Sequence, residues 1–461
     1  MDMGHALATG TTQRIAAFSS GLDWHALPAD VQGRARSHFV DTLGAIIGGI
    51  SGTVAGMVVG LVGATENGGG LAIPGSRLHA TGGDFAMLCG SAAHGIELDD
   101  GYRQGSVHPG VSVVPALLAA SGSARISGPR FLGGLVAGYE IVCALAEAGH
   151  PALRQRGYHP TSATGPIGAA VAVAHALGFD AARTETAIGV GASACGGLFA
   201  FLSGGADVKR VHGGFGARGG LEAARLAAAG IAAPQGVIEG PSGWAQAFTG
   251  VEIDPALPPQ REFRLLDCYI KPHACCRHIQ PAFECALDLM RQNGLRPEEV
   301  EAVDVETYTI SAHHAGVGWG SFADAQLSFP YLMALAIHRG AAGLAEFDDE
   351  TRAQPWVGAV AEKLTVTAAS DLDRRYPEER PARVSLRTTR GTFSGERSEA
   401  SGSRDFPLSQ DELHAKFMGL AAPVLGDRRA QELFDAGISI DGGEDASAIL
   451  AMACQSSAAA C

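Results

Sequence analysis

Between residues 27 and 229 the chain places apolar residues at helical spacing in segment after segment, with almost no period-two alternation between them. A helix opens at Leu27-Pro-Ala-Asp, where proline suits the first turn. It lines up Val31, Ala35, Phe39 and Leu43 on one face, joined by Val40 and Ile47. The same spacing predicts helices over residues 85–97, 112–124, 131–148, 167–177, 184–202 and 221–229. The chain has 63 glycines without a collagen-like period. Among helices, that much Gly and Ala implies close helix–helix approach and sharp connections.

Near residue 265 the character changes. Val303, Val305 and Thr307 alternate with Asp304 and Glu306, as in a half-exposed strand, and residues 364–367, 383–387 and 391–394 read as further strands. Ser409-Gln-Asp-Glu412 then has the form of a capping box, and helix returns. At 461 residues the chain exceeds one ordinary core. The expected class is mainly α, with a large discontinuous all-helical domain (1–267 and 402–461) and an inserted smaller α+β lid domain (268–401). The small, polar residues 455–461 are expected to fray.

The formal net charge of −14 argues against nucleic acid or an anionic membrane as partner. Nine cysteines, an odd number in a long chain without an evident secretory leader, fit a reducing cytoplasm better than a disulfide framework. Two long uncharged stretches, residues 42–65 and 186–206, are broken by Gly with Ser or Thr and read as buried helices rather than membrane spans.

Four polar islands interrupt this background. The first, His94-Gly-Ile-Glu-Leu-Asp-Asp-Gly-Tyr-Arg-Gln-Gly-Ser-Val-His108, holds Glu97, Asp99, Asp100, Arg103 and two imidazoles. Charge that dense beside apolar helices must be paired or used. Adjacent Asp99 and Asp100 point in different directions, so one is expected to face a pocket while the other ties down backbone or a basic side chain. A solvated turn with an aspartate on Arg103 is the plainer alternative. His159, in Gly157-Tyr-His-Pro-Thr161, precedes a small-residue helix over 165–176 and could greet an anion there. Lys209, Arg210 and His212 lie between a glycine-rich break and Gly213-Gly214, ahead of a helix at Ala217, a place for a carboxylate. Neither a Walker A loop nor a Rossmann fingerprint is matched, which speaks against a nucleotide. In Lys271-Pro-His-Ala-Cys-Cys-Arg-His278 the spacing of His273, Cys275, Cys276 and His278 fits no standard zinc arrangement, and neither cysteine sits in a recognisable Cys/His framework. Lys271 and Arg277 are better read as anion contacts.

The order of these motifs resembles the MmgE/PrpD family: Asp-Asp…His-Pro-Gly, Gly-x-His-x-Thr, Lys-x-x-His-x-Gly, Lys-Pro-x-x-Cys-Cys-Arg and Ala325-Gln-x-Ser-x-Pro-Tyr331. The likeness runs from Leu27-Pro-Ala-Asp and Asp41-Thr-Leu-Gly44 to Lys416-Phe417. That family includes 2-methylcitrate dehydratase, cis-aconitate decarboxylase and iminodisuccinate epimerase. The resemblance implies an all-helical main domain, a smaller α+β lid domain, a homodimer and a cofactor-independent site in the cleft between domains; no metal is expected, on the spacing above. By position it assigns His108, His159, Lys209 and Lys271 to catalysis. Tyr331 is joined with Glu97, Asp99, Arg103, His212 and Arg277 in holding substrate. Two departures stand out. Glu97 and Gly101 replace the Asp and Thr of decarboxylase-like members, in a loop one residue longer. Gln280 replaces a His and Ala274 a Pro.

The family's reactions form or quench carbanion-like charge beside a carboxylate. Lysines that clamp carboxylates would spread that charge while His108 moves the proton, with His159 as second acid/base or orienting donor. A dehydratase-like carbon–oxygen lyase acting on a small di- or tricarboxylate is the leading expectation. Epimerisation by proton abstraction and return, or decarboxylation of an aconitate-like acid, are the alternatives.

Overall fold

The computed structural model describes residues 10–66, 68–203, 207–443 and 445–454. The glycine pair 204–205 and the tail 455–461 lie outside these residues. Helix accounts for 58% and strand for 9%, so the protein is mainly α. The chain divides into two compact units, one of Met1–Tyr269 with Leu413–Cys461 and the other of Ile270–Glu412.

In the first unit the main helices are α1 (Ala29–Gly49), α2 (Gly82–His94), α3 (Gly110–Ser121), α4 (Gly128–Ala148), α5 (Pro160–Ala176), α6 (Ala181–Ser193) and α7 (Val208–Ala228). α7 packs on α2, α3, α5 and α6, and α4 lies along α5. α4 is long and apolar enough to cross a membrane, yet it is 89% buried here as a core helix. The 42–65 stretch is broken: α1 ends at Gly49, and the following helix, Thr53–Val62, turns away by 82°. The 186–206 stretch likewise loses its helix at Ser193.

Two helix starts differ most from the sequence expectation. α7 begins at Val208 rather than Ala217, so Lys209, Arg210 and His212 occupy its first turns and Gly213, Gly214 and Gly216 lie inside it. Interior glycine disfavours a helix by about 0.5–1 kcal/mol relative to alanine, and local propensity therefore argued for a break. Packing reverses that preference. A Cβ on Gly213 would stand 2.8 Å from the Gly90 carbonyl oxygen, and one on Gly216 would collide with Ser112. The glycines let three helices close on α7. α5 likewise starts five residues early, at Pro160, because proline occupies N1 and His159 becomes the N-cap.

Between α2 and α3, the short strand β1 (Gly101–Tyr102) pairs antiparallel with β2 (Cys268–Tyr269). This pairing keeps 268–269 with the helical unit, so the second unit starts at Ile270 rather than 268, and it runs to Glu412 rather than 401. The second unit holds α8 (Gln280–Gln292), β3 (Val300–Thr307), α9 (Phe329–His338), β4 (Leu364–Ala368), β5 (Ala382–Thr388) and β6 (Gly391–Arg397). Its sheet has the order β4-β3-β5-β6, with β3–β4 parallel and the other pairs antiparallel. The alternation in β3 does what it implied, burying Val303, Val305 and Thr307 while Asp304 faces out. α8 covers β5 and β6 and packs on α9. The capping box forms: Ser409 N–H donates to Glu412 at 2.8 Å and Glu412 N–H to Ser409 Oγ at 3.2 Å, opening α10 (Gln410–Leu425).

Candidate active site

α2 ends at His94 in the interior of the first unit, and the loop that leads to α3 carries the densest charge of the chain. Glu97 sits there in the left-handed region, with φ of 56°. For a side chain of this size that conformation costs about 1–2 kcal/mol, and such outliers collect at functional sites. The twist delivers its carboxylate to the Lys209 ammonium in the first turn of α7, the two forming an ion pair. Next in α7, Arg210 donates to the Gly95 carbonyl and ties the same loop to the helix.

Asp99 faces two imidazoles. Its Oδ2 accepts from His94 Nδ1 at 2.7 Å and lies 3.0 Å from His108 Nδ1. His108 Nδ1 is also 2.5 Å from the Asp100 carbonyl oxygen. A carbonyl only accepts, so Nδ1 of His108 carries the hydrogen and Nε2 is the nitrogen left to exchange a proton. Thr161 in α5 supports the same residue, its Oγ1 accepting from His108 N–H at 3.2 Å. His108 is also the most accessible ring, its side chain 14% exposed where that of His94 is 0%.

A third and fourth imidazole complete the cluster. His159 Nδ1 lies 2.8 Å from His212 Nδ1, so one ring donates its N–H to the lone pair of the other. His94 stands 5.2 Å from His108 and 6.0 Å from His159 between ring centroids, and Phe199 and Phe201 close on His159 edge-on. This dry setting decides the protonation states. Burial lowers His94 to about 4, against the pull of Asp99 and helped by the charges of Lys209 and His108. Burial, then His94 and Lys209, also lowers His212 to about 4. His159 falls well below its usual value through burial and its imidazole neighbours. At neutral pH these three rings are uncharged and serve as orienting donors and acceptors.

Behind the loop lies a buried brace. Asp100 Oδ2 accepts from His38 Nδ1 at 2.9 Å, and its Oδ1 accepts from Gly110 N–H at 3.0 Å, capping the start of α3. Lys416, from α10, pairs with Asp41 of α1 at 2.5 Å and donates to the Leu98 carbonyl at 2.8 Å. The neighbouring aspartates thus divide their work, Asp99 toward the imidazoles and Asp100 toward the scaffold.

Six of the residues singled out in the sequence (Glu97, Asp99, His108, His159, Lys209 and His212) come together in the first unit. His94, which the sequence reading left without a role, stands at their centre; a lone histidine at a helix end gives no signal in a sequence. Arg103 lies in the same loop, half-buried, its carbonyl accepting from Ser106 N–H in a turn. Lys271, Arg277 and Tyr331 belong to the second unit, all buried. Arg277 donates to the Ala400 and Ser401 carbonyls and to Gln280, and the Tyr331 hydroxyl to the Glu346 carbonyl, so both brace their own unit. Gln280, at the family His position, also donates to the His273 and Cys275 carbonyls. At the other departure, a Cβ on Gly101 would run into the Tyr269 phenol, which fills the space a threonine would need. Among the described residues no group of three or more His, Cys, Asp and Glu side chains gathers to hold a metal ion.

A helical unit carrying an imidazole–carboxylate cluster beside an ammonium brings together groups able to move a proton and to pair with an anion. The MmgE/PrpD N-terminal domain matches residues 13–255 and the MmgE/PrpD C-terminal domain residues 273–439, and the chain belongs to the MmgE/PrpD family. It is 26% identical to a cis-aconitate decarboxylase-like protein of Aspergillus oryzae over 92% of this chain and 93% of the other. It is equally 26% identical to a cis-aconitate decarboxylase of Aspergillus terreus, over 94% of each. The mouse cis-aconitate decarboxylase is 24% identical over 74% of this chain and 72% of its own length.

Proposed function

We propose that the protein is a lyase acting on a small di- or tricarboxylate, with His108 as the group that moves a proton at the carbon beside a carboxylate. One observation carries this: His108 is held through Nδ1 by Asp99 and the Asp100 carbonyl, which leaves Nε2 to exchange the proton, with the uncharged His94 ring 5.2 Å away between centroids. Asp99 stabilises the imidazolium while it exists. Lys209 holds a substrate carboxylate, exchanging its Glu97 partner for the ligand, and His159 with His212 orients the substrate through neutral N–H groups. Lys271 is assigned a second carboxylate by its place in the family motif, and Lys271→Ala should raise KM.

The names of the relatives favour loss of CO2 from an aconitate-like acid, with His108 delivering the proton that quenches the carbanion left behind. Elimination of water is the second reading. It is favoured by Gly101, where the threonine of decarboxylase-like members is absent and Tyr269 takes the space. The test is proton NMR in deuterated buffer with cis-aconitate and with citrate-, tartrate- and aspartate-like acids. Loss of CO2 with one deuterium gained by the product supports decarboxylation. A new alkene from a hydroxy acid supports dehydration, and exchange without net change supports epimerisation. If no acid reacts, or if His108→Asn turns over at the unmodified rate, the proposal fails.

A further inference from the structure

The second unit carries a thiol–imidazole pair with no part in the proposed proton transfer. Cys276 Sγ lies 3.7 Å from His314 Nε2. On the far side of that ring, Nδ1 donates to the Leu327 carbonyl at 3.1 Å. This bond fixes the hydrogen on Nδ1 and leaves the Nε2 lone pair to the sulfur, the arrangement in which a base activates a nucleophile and a third group orients the base. His278 stacks on His314 at 6.3 Å and is itself held by the Tyr308 hydroxyl at 2.5 Å, with Tyr376 stacked on Tyr308 at 4.7 Å. The wall of rings keeps His314 in place, while Cys276 and His314 are both only half-buried.

In the other seven described cysteines, at 89, 143, 195, 268, 275, 285 and 454, burial pushes the thiol up and away from its reactive form. His314 moves the other way: burial opposes its charged form, but the Cys276 sulfur and its hydrogen bond outweigh that and raise it.

We propose that Cys276 is a base-assisted nucleophilic thiol, a covalent-modification site for soft carbon electrophiles such as activated alkenes. The thiol proton passes to His314 Nε2, and the sulfur lone pair forms an S–C bond at the β-carbon. The alkene π pair moves to the α-carbon and takes the proton back from the imidazolium, so that S–H adds across C=C with no change of oxidation state.

The test treats the full chain with substoichiometric N-ethylmaleimide at pH 7, followed by peptide mapping. Cys276 should be labelled first, faster than free N-acetylcysteine under the same conditions, and Cys276→Ser should lose that fast phase. His314→Gln should slow labelling about tenfold, as expected when a thiol loses the base that takes its proton, with the circular dichroism spectrum unchanged. Faster labelling of another cysteine, a Cys276 rate below that of free N-acetylcysteine, or a folded His314→Gln that reacts at the original rate would overturn the assignment. Should His314→Gln misfold, the comparison with N-acetylcysteine on the unmodified protein decides alone.

Discussion

Acidification should unfold this protein from its candidate site outward. An unfolded histidine takes up its proton near pH 6.5, whereas His94 in the folded chain does so near 4. Between those values the unfolded state binds one more proton, so stability falls by about 1.4 kcal/mol per pH unit of acidification. This contribution is fully present above pH 6.5 and is lost progressively as pH falls toward 4. At pH 5 the loss from His94 alone reaches about 2 kcal/mol. His212 and His159 are depressed in the same direction and add to it. His94→Asn keeps a donor where Nδ1 meets Asp99 but cannot titrate. Urea unfolding followed by circular dichroism at pH 7.5 and 5.0 makes the comparison. The unmodified protein should lose about 2 kcal/mol more than His94→Asn over that interval. Equal losses would refute the reasoning, because they would mean that the ring is charged or exchangeable inside the fold.

Three further outcomes follow from the same geometry. Asp99→Asn, which removes the charge facing His94 and His108, should lower turnover by roughly 10²–10⁴ with a smaller change in KM, measured by steady-state kinetics on whichever acid the NMR screen identifies. Lys416→Met leaves Asp41 buried without its partner and should destabilise the fold by about 3–5 kcal/mol; adding Asp41→Asn should recover much of the loss in thermal melts. Gly101→Thr should lower the melting temperature through its collision with Tyr269, and the double variant Gly101→Thr/Tyr269→Ala should melt higher than Gly101→Thr alone.

Legibility in the sequence tracked how local the cause was. The periodicity of Val31, Ala35, Phe39 and Leu43 marked α1 because a helix face is a property of one segment, and alternation marked β3 for the same reason. The start of α7 was hidden, since the force that holds Gly213 and Gly216 in helix comes from α2 and α3. Cys276 read as a thiol without a base because His314 enters from another segment.

The order of the motifs was enough to show the resemblance to the MmgE/PrpD family, and the mainly helical class and most members of the polar cluster were legible because they depend on periodicity and residue type along the chain. Only tertiary structure decided that Asp99 serves two rings, that Glu97 answers Lys209 and that His94, His159 and His212 are uncharged. Such properties depend on distance through a dry interior, where burial and neighbouring charge set each proton's place, and a linear sequence carries no distances of that kind.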